Sequence, residues 1–120
     1  MLDTPDCLQL QCPIQFVLDT LGNKWSILIL RELWTGNHRT HELLKALPGI
    51  STKTLTARLR NLEEQGLVQR QAYPEVPPRV EYTLTAKGKE LRPVLIALHQ
   101  VGERWLAQES CVCPIQTDSP

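Results

Sequence analysis

The stretch that decides the fold is Ser51-Thr52-Lys53-Thr54-Leu55-Thr56-Ala57-Arg58-Leu59-Arg60-Asn61-Leu62-Glu63-Glu64-Gln65-Gly66. Leu55, Leu59 and Leu62 recur at i, i+4 and i+7, which is one side of a helix. Lys53, Thr54, Thr56, Ala57, Arg58 and Arg60 fall on the other sides. Ser51 suits the N-cap, because its hydroxyl can accept from an open N–H of the first turn. Gly66 suits the end, because it takes the left-handed conformation that stops helices. From Ser51 to Leu62 there are three positive charges and no negative one. Such a helix, apolar on one side and hydroxylated and cationic on the other, fits a DNA major groove. Taken alone, however, the stretch is more simply a solvated surface helix, so the flanking chain has to decide.

Upstream, Pro48-Gly49 breaks the chain and Ile50 precedes the cap, where it can pack on the first turn as a hydrophobic staple. Before that break, Thr40 is expected to cap a short helix from His41 to Leu47, with Leu43, Leu44 and Leu47 inward. A helix, a Pro-Gly turn and a polar-faced helix make a helix-turn-helix in outline. Thr35-Gly36-Asn37 reads as a turn. Lys24 to Trp34 reads as a helix that is apolar around most of its circumference, hence the buried centre of the domain. Trp25 and Trp34 are read there as core. Pro13 can open a first helix, with Ile14, Val17, Leu18 and Leu21 on one face and Gly22 at its end.

Downstream, Leu67 to Tyr73 and Arg79 to Leu84 read as two strands around the Pro-rich tip Pro74-Glu75-Val76-Pro77-Pro78, a β-ribbon or wing. Val80, Tyr82 and Leu84 alternate onto one of its faces. Thr85 is then expected to cap a last helix beginning Ala86-Lys87-Gly88, with Pro93 bending it or marking a change of segment. Leu91, Val94, Leu95, Leu98, Val101, Gly102 and Trp105 form a long apolar stripe. So small a domain has little left to cover it, and a helix–helix dimer contact is the natural solution. The expected fold class is mainly α with a small β-ribbon, a winged helix-turn-helix with terminal dimerisation helices. Its domain runs over 12–108, between a loose arm at 1–11 and a tail at 109–120.

The totals agree. At 120 residues the chain should hold one core, and 42% hydrophobic residues is ordinary for a globular protein. Net charge is zero, but residues 1–20 and 101–120 are acidic, so 21–100 holds twelve Lys/Arg against seven Asp/Glu. A basic middle is compatible with nucleic acid. No apolar run approaches the ~20 residues of a membrane helix. Met1 to Gln11 carries two acids and no base, unlike a signal peptide. A cytoplasmic location without membrane attachment is expected.

Cys12-Pro13-Ile14, Leu21-Gly22-Asn23-Lys24-Trp25, Ile29-Leu30-Arg31-Glu32-Leu33, Pro48-Gly49-Ile50-Ser51, Leu55 to Glu63, Gly66-Leu67-Val68, Val76 to Thr85 and Lys87-Gly88 come in the order and at the spacings of a known family. Over about residues 12–106 the chain resembles the HxlR-type (MarR-like) bacterial transcription regulators. The resemblance implies a winged helix-turn-helix, a homodimer built from the terminal helices, and a pseudo-palindromic double-stranded operator. It also implies that Cys12 stands where some members sense oxidants or electrophiles. Residues 7, 111 and 113 lie outside the shared pattern.

Candidate residues follow. For DNA they are Ser51, Thr52, Lys53, Thr54, Thr56, Ala57, Arg58 and Arg60. Those nearer the helix start are favoured for base edges, and Arg79 on the wing is a candidate for phosphate or a narrow minor groove. For the dimer they are Ile14, Val17, Leu18, Leu95, Leu98, Val101 and Trp105. Cys12 beside a helix N-terminus should be a more reactive thiolate, or else an inert thiol packed at the dimer contact. If the last helix lies near the first, Cys12 could pair with Cys111 or Cys113, whereas a bridge between Cys111 and Cys113 would be strained. Cys7, Cys12, Cys111 and Cys113 could instead hold zinc or an iron–sulfur cluster, although their spacings are not the usual C-x2-C. His38, His41 and His99 read as surface or packing residues. No cofactor is expected. The chain has no phosphate loop, nucleophile elbow or H-E-x-x-H, so an enzyme is not expected. A protein-interaction module without DNA binding stays open as an alternative.

Overall fold

The structure, a computed structural model, describes residues 12–107. Helix α1 is Pro13–Leu21, with Pro13 in the first turn and Gly22 ending it at φ +88°. Helix α2 is Lys24–Leu33. Its start is set by Asn23, whose Oδ1 accepts from the N–H groups of Trp25 (2.9 Å) and Ser26 (3.3 Å). Trp34, expected inside this helix, is its C-cap. Helix α3 is Thr40–Ala46. Thr40 was expected as the cap but is already helical. The cap position belongs to Arg39, whose N–H donates to Glu42 Oε1 at 2.7 Å. A carboxylate three residues in thus set this boundary rather than the hydroxyl.

Helix α4, Thr52–Glu64, is the stretch from which the reading began. Its cap is as expected, with Ser51 Oγ accepting from the Thr54 N–H at 3.0 Å. Leu55, Leu59 and Leu62 are fully covered and meet Ile29, Leu30 and Leu33 of α2, Leu43 of α3, and Leu47, Leu67 and Val68 in one cluster. Burial of each such side chain stabilises the fold by roughly 1.5–3 kcal/mol. Helix α2 is the centre of that cluster, as its all-round apolarity predicts. Trp25 packs partly buried against it.

The wing is β2, Val68–Tyr73, paired antiparallel with β3, Arg79–Leu84, from Val68↔Leu84 to Tyr73↔Arg79. A third strand, β1, covers His38–Arg39 and pairs with β3 at Tyr82 and Glu81, giving the order β1-β3-β2. Sequence reading missed β1, since two residues are too few to display the period of two that marks a strand.

The last expected helix is two. Helix α5 is Ala86–Lys89, capped by Thr85 Oγ1 accepting from the Gly88 N–H at 3.0 Å, and α6 is Arg92–Trp105. Pro93 marks the change of segment: it occupies the first turn of α6, where its missing N–H leaves no bond unmade. Helix α5 fastens the end of α4. Thr85 Oγ1 donates to the Gly66 carbonyl at 2.5 Å and Lys87 Nζ to the Gln65 carbonyl at 2.9 Å, satisfying acceptors a helix end leaves open. Gly88 permits this approach, because a Cβ there would collide with the Leu67 carbonyl. The angle between α4 and the wing is therefore set at one knot of backbone and side-chain contacts.

Candidate nucleic-acid interface

With Leu55, Leu59 and Leu62 turned inward, the helical period leaves Lys53, Thr56, Ala57 and Arg60 exposed on the outward side of α4, with Thr52 exposed in its first turn. Among the described residues, neither Lys53 nor Arg60 is held by an ion pair or hydrogen bond. Ser51 and Thr54 are committed to the cap, with the Ser51 hydroxyl donating to Thr54 Oγ1 at 3.0 Å. Thr54 is half-buried.

Arg58 differs from its neighbours. It flanks the buried stripe, is half-buried, and turns back over the α1–α2 junction. Its Nη1 stands 2.9 Å from where a Cβ on Gly22 would be. The exposed face of α4 is therefore centred on Lys53, Thr56 and Arg60, with Arg58 at its margin.

Arg79, the wing candidate for phosphate or a narrow minor groove, is already engaged within the protomer. Its guanidinium pairs with Glu75 at 2.8 Å and Glu81 at 3.1 Å and lies 3.9 Å from the centroid of the Tyr73 ring. Two carboxylates and an aromatic face already occupy it, so a phosphate would have to displace them. The cause is strand alternation: Tyr73, Arg79 and Glu81 share one face of the β2–β3 pair.

The other face carries Val68, Arg70, Tyr82 and Leu84. It begins in the core at Val68 and continues outward toward α4. There Arg70 and Tyr82 line a recess of about 430 Å³ with Thr56, Arg60 and Glu63. Arg70 was not foreseen as a site residue. Its signal was available, since it lies two residues beyond a core valine on the same strand.

Away from α4, helices α1 and α6 carry apolar side chains that nothing among the described residues covers. Ile14 is 63%, Leu18 56%, Leu98 51% and Trp105 81% exposed, with Val17, Val94 and Leu106 also open. Val101 is half-buried. Phe16, exposed beside them, was missed because it breaks the three-and-four spacing of α1. Leu95, placed on the same stripe by its spacing, is 6% exposed and packs inside the protomer together with His99, one turn on. Cys12 stands half-buried at the N-cap of α1, its carbonyl accepting from the Phe16 N–H at 2.8 Å. Cys7, Cys111 and Cys113 lie outside the described residues. Both the disulfide and the metal-site expectations fall there.

Residues 20–110 match the HxlR-like helix-turn-helix family. The chain belongs to that family. It is 64% identical over 106 residues, 88% of its own length and 78% of the other's, to sll1512 of a Synechocystis species, described as an uncharacterized HTH-type transcriptional regulator. It is similar to the solved structure of the redox regulator HypR in its oxidized form, with 36% identity, a TM-score of 0.72, and 84% of this chain and all of that one covered. It is also similar to the reduced transcriptional regulator YodB of Bacillus subtilis, with 34% identity, a TM-score of 0.70 and the same coverage. The winged helix-turn-helix is thus the family's fold, and the chain is a transcriptional regulator rather than an enzyme. No helix among the described residues is long and apolar enough to cross a membrane.

Proposed function

We propose that this HxlR-like regulator binds a pseudo-palindromic operator as a homodimer, each α4 entering a major groove. The observation that carries the reading is the exposed face of α4. From Thr52 to Arg60 it offers two unpaired cations, two threonine hydroxyls and an alanine, with no carboxylate before Glu63. Thr52, Lys53 and Thr56, toward the helix start, would meet base edges, and Arg60 the phosphates beside them. Ser51 and Thr54 would serve by capping, and Arg58 by holding α4 to the α1–α2 turn. The second copy would cover the apolar side chains of α1 and α6, joining two α4 helices at about one DNA turn, ~34 Å. Electrophoretic mobility shift on the DNA flanking the chain's own gene tests it. Wild-type protein is expected to bind that DNA more tightly than an unrelated duplex, and Lys53→Ala to weaken binding at least tenfold. Equal binding by the variant would sink the assignment.

A second reading concerns the signal. HypR is described as a redox regulator, and Cys12 of this chain stands at the start of α1, beside the apolar surface that a second copy would cover. The positive end of a helix favours a thiolate. Attack of that thiolate on a peroxide forms an S–O bond, breaks the O–O bond and releases hydroxide, leaving a sulfenic acid. A polar group at the edge of the dimer contact would change the spacing of the two α4 helices. Peroxide is expected to release wild-type protein from the flanking DNA and to leave Cys12→Ser bound. An undiminished response in that variant would remove Cys12 from the mechanism.

A further inference from the structure

We infer that Arg60 and Arg70 together form a seat for one DNA backbone phosphodiester, placed where the recognition helix meets the base of the wing. The inference rests on the DNA-binding reading above and adds a residue, Arg70, that lies outside α4. The two arginines come from separate elements, α4 and β2, and line one recess with the Thr56 and Tyr82 side chains. Neither guanidinium has a hydrogen bond or ion pair among the described residues. Glu63 lines the same recess, but makes no such bond to either. Two like charges lining one recess repel each other, and an anion between them lowers that cost. Arginine forks match the paired oxygens of a phosphate, and the two hydroxyls add donors.

The charge count selects the kind of anion. Two arginines and one glutamate leave a single net positive charge. That balances a phosphodiester, which carries one negative charge, better than a phosphate monoester or inorganic phosphate, which carries about 1.5 to 2 at neutral pH. The position agrees. Arg60 lies on the exposed face of α4, and Arg70 reaches toward it from the core-facing side of the wing, so the seat borders the groove α4 would occupy. A contact of this kind holds the protein in register and reads no base.

The test measures affinity against salt by fluorescence anisotropy, on the duplex flanking the chain's own gene and on an unrelated duplex of the same length. Arg70→Gln should weaken both by a similar factor, about tenfold at moderate salt, and lower the slope of log affinity against log salt by about one. Arg70→Lys should keep the slope and lose part of the affinity. Arg79→Gln should leave both quantities unchanged. Loss of binding to the flanking duplex alone would make Arg70 a base reader and overturn the phosphate seat. An unchanged Arg70→Gln beside a weakened Lys53→Ala would overturn the seat and leave α4 standing. Failure of the wild-type chain to bind either duplex would remove the DNA-binding reading and the seat with it. Inorganic phosphate at ~10 mM, followed by the Nε–Hε resonances of Arg60 and Arg70, separates the two phosphate sources. Little movement is expected there, and saturating shifts would reassign the recess to free phosphate.

Discussion

Leu55, Leu59 and Leu62 of α4 and Leu98, Val101 and Trp105 of α6 are written in the same code, apolar residues three or four apart. The first set is at most 2% exposed, whereas Leu98 is 51% and Trp105 81% exposed. Periodicity states that a helix has an apolar face; it does not state which surface will cover it. For α4 the cover is in the protomer, because α2 is apolar around most of its circumference and only two turns, the two-residue β1 and the short α3 separate them in sequence. For α6 no described element covers the stripe, and in the proposed dimer a second copy would supply a surface of the same kind.

A smaller pair teaches the same lesson with charge. Arg79 and Arg70 stand on opposite faces of the same two-stranded ribbon. Arg79 is consumed by Glu75, Glu81 and Tyr73, whereas Arg70 is open. A cation near a wing is therefore available to DNA only if the strand face it lands on has no carboxylate to take it.

The first comparison can be broken at either end. Leu59→Ala should cost the most, about 2–5 kcal/mol, since it empties a fully covered site between α4 and its neighbours. Thermal unfolding followed by circular dichroism would read this, and a loss under ~1 kcal/mol would mean that α4 is only loosely docked. Leu98→Asp at an equally periodic position should leave the helical signal intact and shift the sedimenting species from dimer to monomer. A charge with no partner in an apolar contact is expected to weaken self-association at least a hundredfold. A dimer that survives would place the partner surface elsewhere.

The smallest effect should come from Glu42 at the start of α3. Its carboxyl is held below its ordinary pKa, chiefly by the Arg39 backbone N–H, with His38, His41 and the Arg39 side chain adding to it. A lowered folded pKa contributes stability that is present above the unfolded value, about 4.3 for Glu, and fades as pH falls through the folded one. Wild type should therefore be slightly more stable than Glu42→Gln at pH 7 and lose that margin below about pH 4. A margin that does not change between pH 7 and pH 3 would show that the N–H bond is not what the carboxylate supplies.

Much of the fold was legible before any coordinates. The caps at Ser51 and Thr85, the stops at Gly22 and Gly66, the leucine spacing of α4 and the alternation of β3 are local signals, each read from residues within a turn or two. What failed was short or non-local. The two-residue β1 has no period to read. Thr40 lost the cap position to Arg39, whose N–H is taken by the carboxylate of Glu42 three residues on from it. The change of segment at Pro93 was one of the two outcomes expected there, but not that α5 is drawn onto the end of α4 by contacts 19 and 22 residues apart in sequence. The candidate interface divided in the same way. Its helix face was readable. The withdrawal of Arg58 toward Gly22, the capture of Arg79 and the convergence of Arg70 on Arg60 were not.

The sequence by itself determined most of the helical segments, where α4 begins and ends, and that its outward face carries cations and hydroxyls, with acids only in the last turn at Glu63 and Glu64. Those properties depend on backbone propensity, capping and a period of 3.6, all written within a few residues. Tertiary structure alone decided which of those cations stay available. Whether an arginine is open or spent depends on the carboxylates, rings and backbone that other elements bring within about 4 Å of it, and no local rule of sequence specifies that neighbourhood.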